Sequence, residues 1–382
     1  SIQYHLFQTI FAGGYVHSNR KYTSKIIRQP YKHKDIASSY PAIMLAYKFP
    51  YNKWAYFGCQ LPDPKTFEYR AYIIKLHFTG LKCISWNSYI SSAKSHGKNM
   101  IYDNGRVLSA DDLTITVTEQ DYITICNNYT WDHIESLGTY VCQKRYLPTI
   151  FVRFVLDLYR DKTMLKNSKD PTAAERYRQA KAWLNSLFGM CVTSLFSQEV
   201  IFDQETGEWS VSDLTAEMVN DGLEKMQNWY NKKYFLSYPV GCWITAYARR
   251  RLWACIEKCD KDLLYVDTDS LFYLNEYDFT WFNEDIDKRL KEACDHHGFD
   301  FMETRPADPS GVRHPLGYLE DERPGQAFCS LGAKKYCEEI DGKLYMTVAG
   351  VNKGAVDCLN GDINNFRDGF VFDKDHPSVH KL

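Results

Sequence analysis

The stretch from Leu263 to Leu274, Leu-Leu-Tyr-Val-Asp-Thr-Asp-Ser-Leu-Phe-Tyr-Leu, constrains this chain more than any other. Two apolar runs flank a short acidic turn, which is the pattern of a β-hairpin with a charged tip. Two carboxylates one residue apart on a rigid hairpin suit divalent cations that neutralise charge on a transferring phosphoryl group. Asp and Thr are also ordinary turn residues, so the same letters taken alone describe an Asx-type turn.

Composition bounds the alternatives. A chain of 382 residues buries a large core and divides into several subdomains. Hydrophobic residues make up 45% and aromatic residues 15%, with 28 Tyr, so the chain is globular and not disordered. The formal net charge of -2 gives no global support for a nucleic-acid partner, so any track for one has to be local. Arg20-Lys21, Lys32-His33-Lys34, Lys144-Arg145, Arg249-Arg250-Arg251 and Lys334-Lys335 are the clusters that could supply it, although each alone reads equally as a solvated face. The 12 Cys include no CxxC pair, and Cys255 and Cys259 have helical spacing without a second ligand pair. These features predict a reduced, cytoplasmic protein without structural zinc. No signal peptide and no membrane-length apolar run is present. Ser1 in place of an initiator Met fits a processed start, a cloning scar or a fragment.

Two helices are legible in the middle of the chain. Residues 151–166 have helical apolar periodicity, and Asp170-Pro171 supplies a capping residue followed by Pro at the first helical position. In the second helix, Tyr177, Arg178, Lys181, Asn185 and Phe188 fall on one face, cations at one end and a flat ring at the other. Such a face can meet a triphosphate and a base, and it is also what a solvated basic edge looks like. Beyond it, residues 199–211 read as a hairpin turning near Glu205 to Gly207, and a helix is expected around 216–230. Residues 60–147 mix strand-like runs (71–76, 114–118) with polar loops; residues 111–122 read as a strand and then a short helix.

Three motifs, in order, resemble those of the family B DNA polymerases. Lys34 to Met44 is similar to motif A, DxxSLYPxI, with Ser39 where the family usually has Leu. Lys181 to Gly189 is similar to motif B, KxxxNSxYG, with Phe188 for the usual Tyr. Tyr265 to Ser270 matches motif C, YxDTDS. The resemblance covers about Phe11 to Gly350. It implies that Asp35, Asp267 and Asp269 are catalytic and bind two Mg²⁺ ions, for which Mn²⁺ can substitute. It implies that Ser38, Ser39, Tyr40, Arg178, Lys181, Asn185 and Phe188 meet the deoxynucleoside triphosphate, with Lys166, Lys169 and Arg176 as further phosphate candidates. Gly13 and Gly14, Ser186 and Gly189, the TxxxR-type pair Thr245 and Arg249, and the KxY pair Lys334 and Tyr336 would contact primer-template DNA.

The implied fold is α+β: a right-hand polymerase with an antiparallel-sheet palm, helical fingers and a small thumb. Its expected units are 1–59 (palm with motif A), 60–150 (palm extension or first insertion), 151–196 (fingers), 197–238 (hairpin and helix insertion), 239–350 (palm with motif C and KxY) and 351–382 (thumb). The order of elements resembles the protein-primed phage and plasmid type, which implies a terminal-protein primer. A proofreading exonuclease of this family would precede motif A and begin with DxE. Only 34 residues precede Asp35 and none is acidic, so the exonuclease is expected on another segment or subunit; Asp203-Gln204-Glu205 reads as turn chemistry. The rival readings are a primase-like or untemplated nucleotidyltransferase on the same scaffold, and a non-catalytic DNA-binding relic.

Overall fold

The computed structural model describes residues 2–166, 172–192, 200–202, 209–211, 215–218, 220–222, 224, 237–372 and 382. Mixed helices and antiparallel sheets make up the fold. The central one of these sheets has five strands, in the order Val16–Ser18, Leu263–Asp267, Ser270–Tyr273, Lys32–Ile36 and Leu319–Asp321. The hairpin expected from the acidic turn is its middle. Apolar residues at 263, 264, 266, 271 and 272 are buried, so the sheet cannot slip by one residue without exposing a core face.

That register has a chemical consequence. Asp267 lies opposite Ser270, Ser270 opposite Asp35, and Asp35 opposite Glu320. Directly opposed residues share a face, so one row across four strands carries three acids and a hydroxyl.

Residues 60–147, expected as strands broken by polar loops, form most of a larger antiparallel sheet. Its long strands are Arg70–Cys83, Arg106–Thr118 and His133–Arg145. The first of them is buried in a run at residues 71–74 instead of by strict alternation, while the second alternates over 113–117. The short helix expected after the second of them is Glu119–Asn128, begun by a capping box between Thr118 and Asp121. Phe49–Pro50 and Ala55–Gly58 also pair into this sheet, so the expected boundary at 59/60 cuts through it.

A 22-residue helix, Tyr238–Cys259, leads into the acidic hairpin. Its first half sits in one core with Leu45, Val155 and Leu184, and its second half in another with Ile74, Leu113 and Val266. The helix Ser39–Ala46 follows the strand Lys32–Ile36 after two residues and is almost wholly buried. The two expected middle helices are Thr149–Leu165 and Ala173–Cys191; the Asp170-Pro171 start lies outside the described residues. Val200–Phe202 pairs with Trp209–Val211 as the expected hairpin, whose turn is outside the described residues, as is most of the helix expected at 216–230.

The last sheet orders Lys343–Val348, Lys335–Ile340, Ala327–Gly332 and Ile26–Ile27. Its strands share one core with Leu359, Phe366 and Phe372. The expected boundary at 350/351 therefore divides a single packed unit. No described helix is long and apolar enough to cross a membrane.

Candidate active site

The acids assemble where two chain reversals meet. Thr268 takes a left-handed conformation (φ 63°) at the hairpin tip, and its N–H donates to the Tyr15 carbonyl at 2.8 Å. The Ile36 N–H donates to the Asp269 carbonyl at 2.9 Å, fastening the hairpin tip to the strand that carries Asp35. Ser270 Oγ donates to Asp35 Oδ1 at 2.7 Å. Burial pushes the Asp35 carboxyl above its ordinary range, against the pull of the Ser270 bond. Burial, and then the charges of Asp35 and Asp267, push the Asp269 carboxyl up to about 7.

Asp267 is partnered differently. The Lys334 ammonium bonds its Oδ1, and the Lys334 N–H donates to the Tyr265 hydroxyl at 2.9 Å. Lys334 itself sits in a left-handed turn (φ 58°) between two strands of the last sheet. Tyr336 packs its ring against Tyr265 and Phe328 at centroid distances of 4.9 and 5.7 Å. The KxY pair thus joins the last sheet to the acidic hairpin.

Next to the acids lies a ring platform. Tyr40, in the first turn of the buried helix, meets Phe188 at 4.8 Å, and Phe11 stacks on Phe188 at 6.3 Å. Ser38 enters that helix in a left-handed conformation (φ 50°), and Ser39 is buried in it. Lys162, on the helix Thr149–Leu165, donates to Ser38 Oγ at 3.0 Å. Its ammonium is held below the ordinary lysine range by burial and then by Lys181 and Lys166, while Glu320 and Asp35 pull the other way. Lys162 is a site residue that sequence reasoning missed; the signal was a lysine one turn after the buried Tyr159 on an otherwise packed face. Ser270, Thr268 and Glu320 were missed as well, the first two although they sit inside the acidic motif itself.

The motif-B helix carries Lys181 and Asn185 on its exposed side, with Phe188 half-buried. Arg178 is 72% exposed and pairs with Glu175 at 2.8 Å, so its guanidinium points along the helix surface to its own neighbour. Ser186 returns its hydroxyl to the Trp183 carbonyl at 2.9 Å, and Gly189 lies in the last turn. Lys166 and Arg176 are exposed; Lys169 lies outside the described residues.

Thr245 and Arg249 require a correction. They were expected against template phosphates, but they are 0% and 4% exposed. Thr245 bonds back to the Cys242 carbonyl at 3.1 Å. Arg249 pairs with buried Asp121 at 2.8 Å, and its Nη1 donates to the carbonyls of Ala12 and Gly13. A guanidinium in the core is stable only when paired and bonded in this way. Arg249 therefore shapes the Gly13-Gly14 segment from beneath. A Cβ on Gly14 would lie 2.6 Å from Thr268 Cγ2, whereas one on Gly13 would meet nothing within 4 Å.

The donor set suits a hard divalent cation, since it is built from carboxylate oxygens, and such a cation would relieve the Asp35 and Asp267 charges that add to burial in raising Asp269. Among the described residues the acids are not drawn into a closed three-ligand cluster. The Lys334 ammonium supplies the positive charge at Asp267 instead.

Comparison with known proteins agrees with this geometry. The family profile described as DNA polymerase type B, organellar and viral, matches residues 8–278. A search of curated proteins finds no match. Among solved structures, the chain is similar to phi29 DNA polymerase complexed with primer-template DNA and incoming nucleotide substrates, at 17% identity and a TM-score of 0.67. That match covers 97% of this chain and 58% of the other. Phi29 DNA polymerase complexed with single-stranded DNA matches at 18% identity and a TM-score of 0.65, over 97% of this chain and 58% of the other. The chain thus spans somewhat over half the length of the solved polymerases it resembles. The profile match, running from the Gly-Gly segment through the acidic hairpin, establishes that the chain belongs to the type B DNA polymerases of organellar and viral kind.

Proposed function

We propose that this chain is the polymerase module of a protein-primed family B enzyme, a template-directed DNA polymerase that adds deoxynucleotides to a primer 3′-hydroxyl. The observation that carries the reading is the row Asp267, Ser270, Asp35 across adjacent strands, with Asp269 half-buried beside it and pushed up to about 7. In this reading the five-stranded sheet is the palm, helices Thr149–Leu165 and Ala173–Cys191 are the fingers, and the sheet from Ala327 to Val348 belongs to the thumb. The larger sheet would be the palm extension or first insertion, and the 200–211 hairpin the second.

Asp35 and Asp269 would hold two Mg²⁺ ions, with Asp267 beside them. Bound there, the ions supply a lowered pKa at the primer hydroxyl and neutralise the leaving pyrophosphate. The residues of the chain do the rest. Ser270 keeps the Asp35 carboxylate aimed and opposes the burial that raises it. Tyr40 and Phe188 form the flat wall beside the sugar and base, and Lys181 and Lys162 present ammonium groups to phosphate. Lys334 exchanges its bond to Asp267 for one to the primer terminus.

The test is extension of a primed template with Mg²⁺ beside an unprimed one. Extension of the primed template alone supports the reading, and Asp269→Ala is expected to abolish it while primer-template binding persists. Product on the unprimed template points to primer synthesis or untemplated addition, and binding without extension points to a relic. We also infer that this stretch contains no proofreading centre. A labelled mismatched primer incubated with Mg²⁺ and no nucleotide should keep its length; metal-dependent shortening that survives Asp269→Ala would reveal a second active site.

A further inference from the structure

A cavity of about 390 Å³ lies on the other flank of the long helix Tyr238–Cys259, and none of Asp35, Asp267, Asp269, Tyr40 or Lys181 lines it. Its volume is within the range of small-molecule sites. Tyr247, Arg250, Arg251 and Ala254 of that helix form one stripe of its wall, at spacings of three and four. Arg289 enters from the helix Thr280–His297, and Lys48 and Lys65 complete its cations. Among the described residues the acids on the lining are Glu68 and Asp285, so five positive groups there face two negative ones in a chain whose overall charge is -2.

These cations are poorly satisfied. Arg250 Nη1 is buried and has no hydrogen-bond partner among the described residues. Arg251 makes three bonds, to the Tyr47 hydroxyl, Asp285 and the Phe282 carbonyl, and each is 3.4 Å long. Arg289 spends its Nε on Asp285, at 3.1 Å, and its Nη1 lies 3.9 Å from Glu68, beyond hydrogen-bond length. A buried guanidinium N–H without an acceptor is unfavourable, so Arg250 Nη1, beside the long bonds of Arg251 and the Arg289 Nη1 left beyond hydrogen-bond length of Glu68, suits the cavity to an anion that accepts from them. One wall is aromatic. Trp281 is 37% exposed on the lining, with Tyr47 and Phe67 nearby.

We propose that this cavity is a second nucleotide-phosphate site, distinct from the acidic centre. The Arg250, Arg251 and Arg289 guanidiniums take the phosphate oxygens, and the Trp281 ring covers the base. A free nucleotide and one nucleotide of a DNA strand present the same chemistry to these groups.

The experiment titrates the full chain in chelator, which keeps divalent cations from the acidic centre, and follows calorimetric heat and the Trp281 fluorescence, taken as the part of the emission of the nine Trp that Trp281→Phe removes. The probes are deoxyadenosine 5′-monophosphate, deoxyadenosine and a ten-residue oligothymidylate. Either phosphate-bearing probe is expected to quench Trp281, and deoxyadenosine to bind at least about tenfold more weakly than its monophosphate. Tighter binding of the monophosphate assigns the site to free nucleotide, and tighter binding of the oligomer assigns it to a strand. Arg250→Ala should weaken the bound probe about tenfold and leave primer extension unchanged, because the cavity that Arg250 lines includes none of Asp35, Asp267 and Asp269. Arg289→Gln, read in the same way, replaces it if circular dichroism shows that Arg250→Ala does not fold. Absence of quenching by both phosphate probes, or quenching that is the same in the folded variants as in the parent, overturns the proposal.

Discussion

Ser270 and Asp35, on neighbouring antiparallel strands and 235 residues apart in sequence, are joined by a 2.7 Å bond from hydroxyl to carboxylate. This bond opposes the burial that raises the Asp35 carboxyl. Partners that orient a metal ligand are worth roughly 10- to 100-fold in metal affinity or activity when removed. Ser270→Ala should therefore require at least about tenfold more Mg²⁺ for half-maximal extension, with DNA affinity close to the parent's. An unchanged Mg²⁺ requirement would show that the hydroxyl is only a strand-pairing residue.

The acidic centre makes stability depend on pH and on cation together. Asp269 is raised from 3.8 to about 7 in the fold, so the folded state holds a proton that the unfolded state has lost. Metal-free stability consequently falls as pH rises from about 4 through about 7, reversing the usual carboxylate trend. In chelator at pH 8, Asp269→Asn should be more stable than the parent by roughly 1 to 4 kcal/mol, and below pH 4 it should show no such gain. Mg²⁺ should raise the parent's melting temperature at pH 8 and not at pH 5. Equal melting temperatures for parent and variant across this range would remove the charge crowding from the account.

Two adjacent glycines are expected to behave oppositely. Gly13→Ala adds a methyl group into open space, while Gly14→Ala drives one against Thr268 at the tip of the acidic hairpin. The first should leave extension within about twofold. The second should lower kcat by about tenfold or more with a smaller change in melting temperature, since the clash moves the turn that spaces Asp267 from Asp269. A pair of variants with matching kinetics would mean that Thr268 yields without disturbing the acids.

Tyr40 offers a test of sugar selection. Its ring is held against Phe188 at 4.8 Å, and in the proposed function it fills the space that a 2′-hydroxyl would need. Tyr40→Val should raise the use of ribonucleotides relative to deoxyribonucleotides by about tenfold or more. If the ratio of kcat/KM for the two sugars stays at the parent value, the ring serves packing alone.

The acidic hairpin was legible because its pattern is local: apolar runs, a turn and a two-residue acid spacing lie within one stretch. Motif A was legible for the same reason, and the structure sets Asp35 near the end of a strand and Tyr40 at the start of the next helix. Residues whose role depends on a distant partner were not. Lys162 reads as one more lysine on an amphipathic helix until Ser38 meets it, 124 positions away. Arg249 reads as a phosphate contact until Asp121, from the middle of an unremarkable strand-to-helix turn, is found beneath it. The strand Arg70–Cys83 was partly obscured because its buried run at residues 71–74 erases the alternation by which a strand is recognised, whereas residues 113–117 do alternate and were read as strand-like.

The last sheet is completed by Ile26 and Ile27, which pair with Cys329 and Phe328. The edge of a structure near the end of the chain is thus supplied by a segment near its start, five positions before the strand that bears Asp35. A protein divided anywhere between residues 28 and 326 would leave the second piece with a bare strand edge, whose unpaired N–H and C=O groups invite association with other chains. Such halves should regain solubility together and precipitate apart. The sheet that delivers Lys334 to Asp267 is, in this sense, tethered by its own edge to the strand of the opposing acid, so displacement of one is transmitted along covalent backbone to the other.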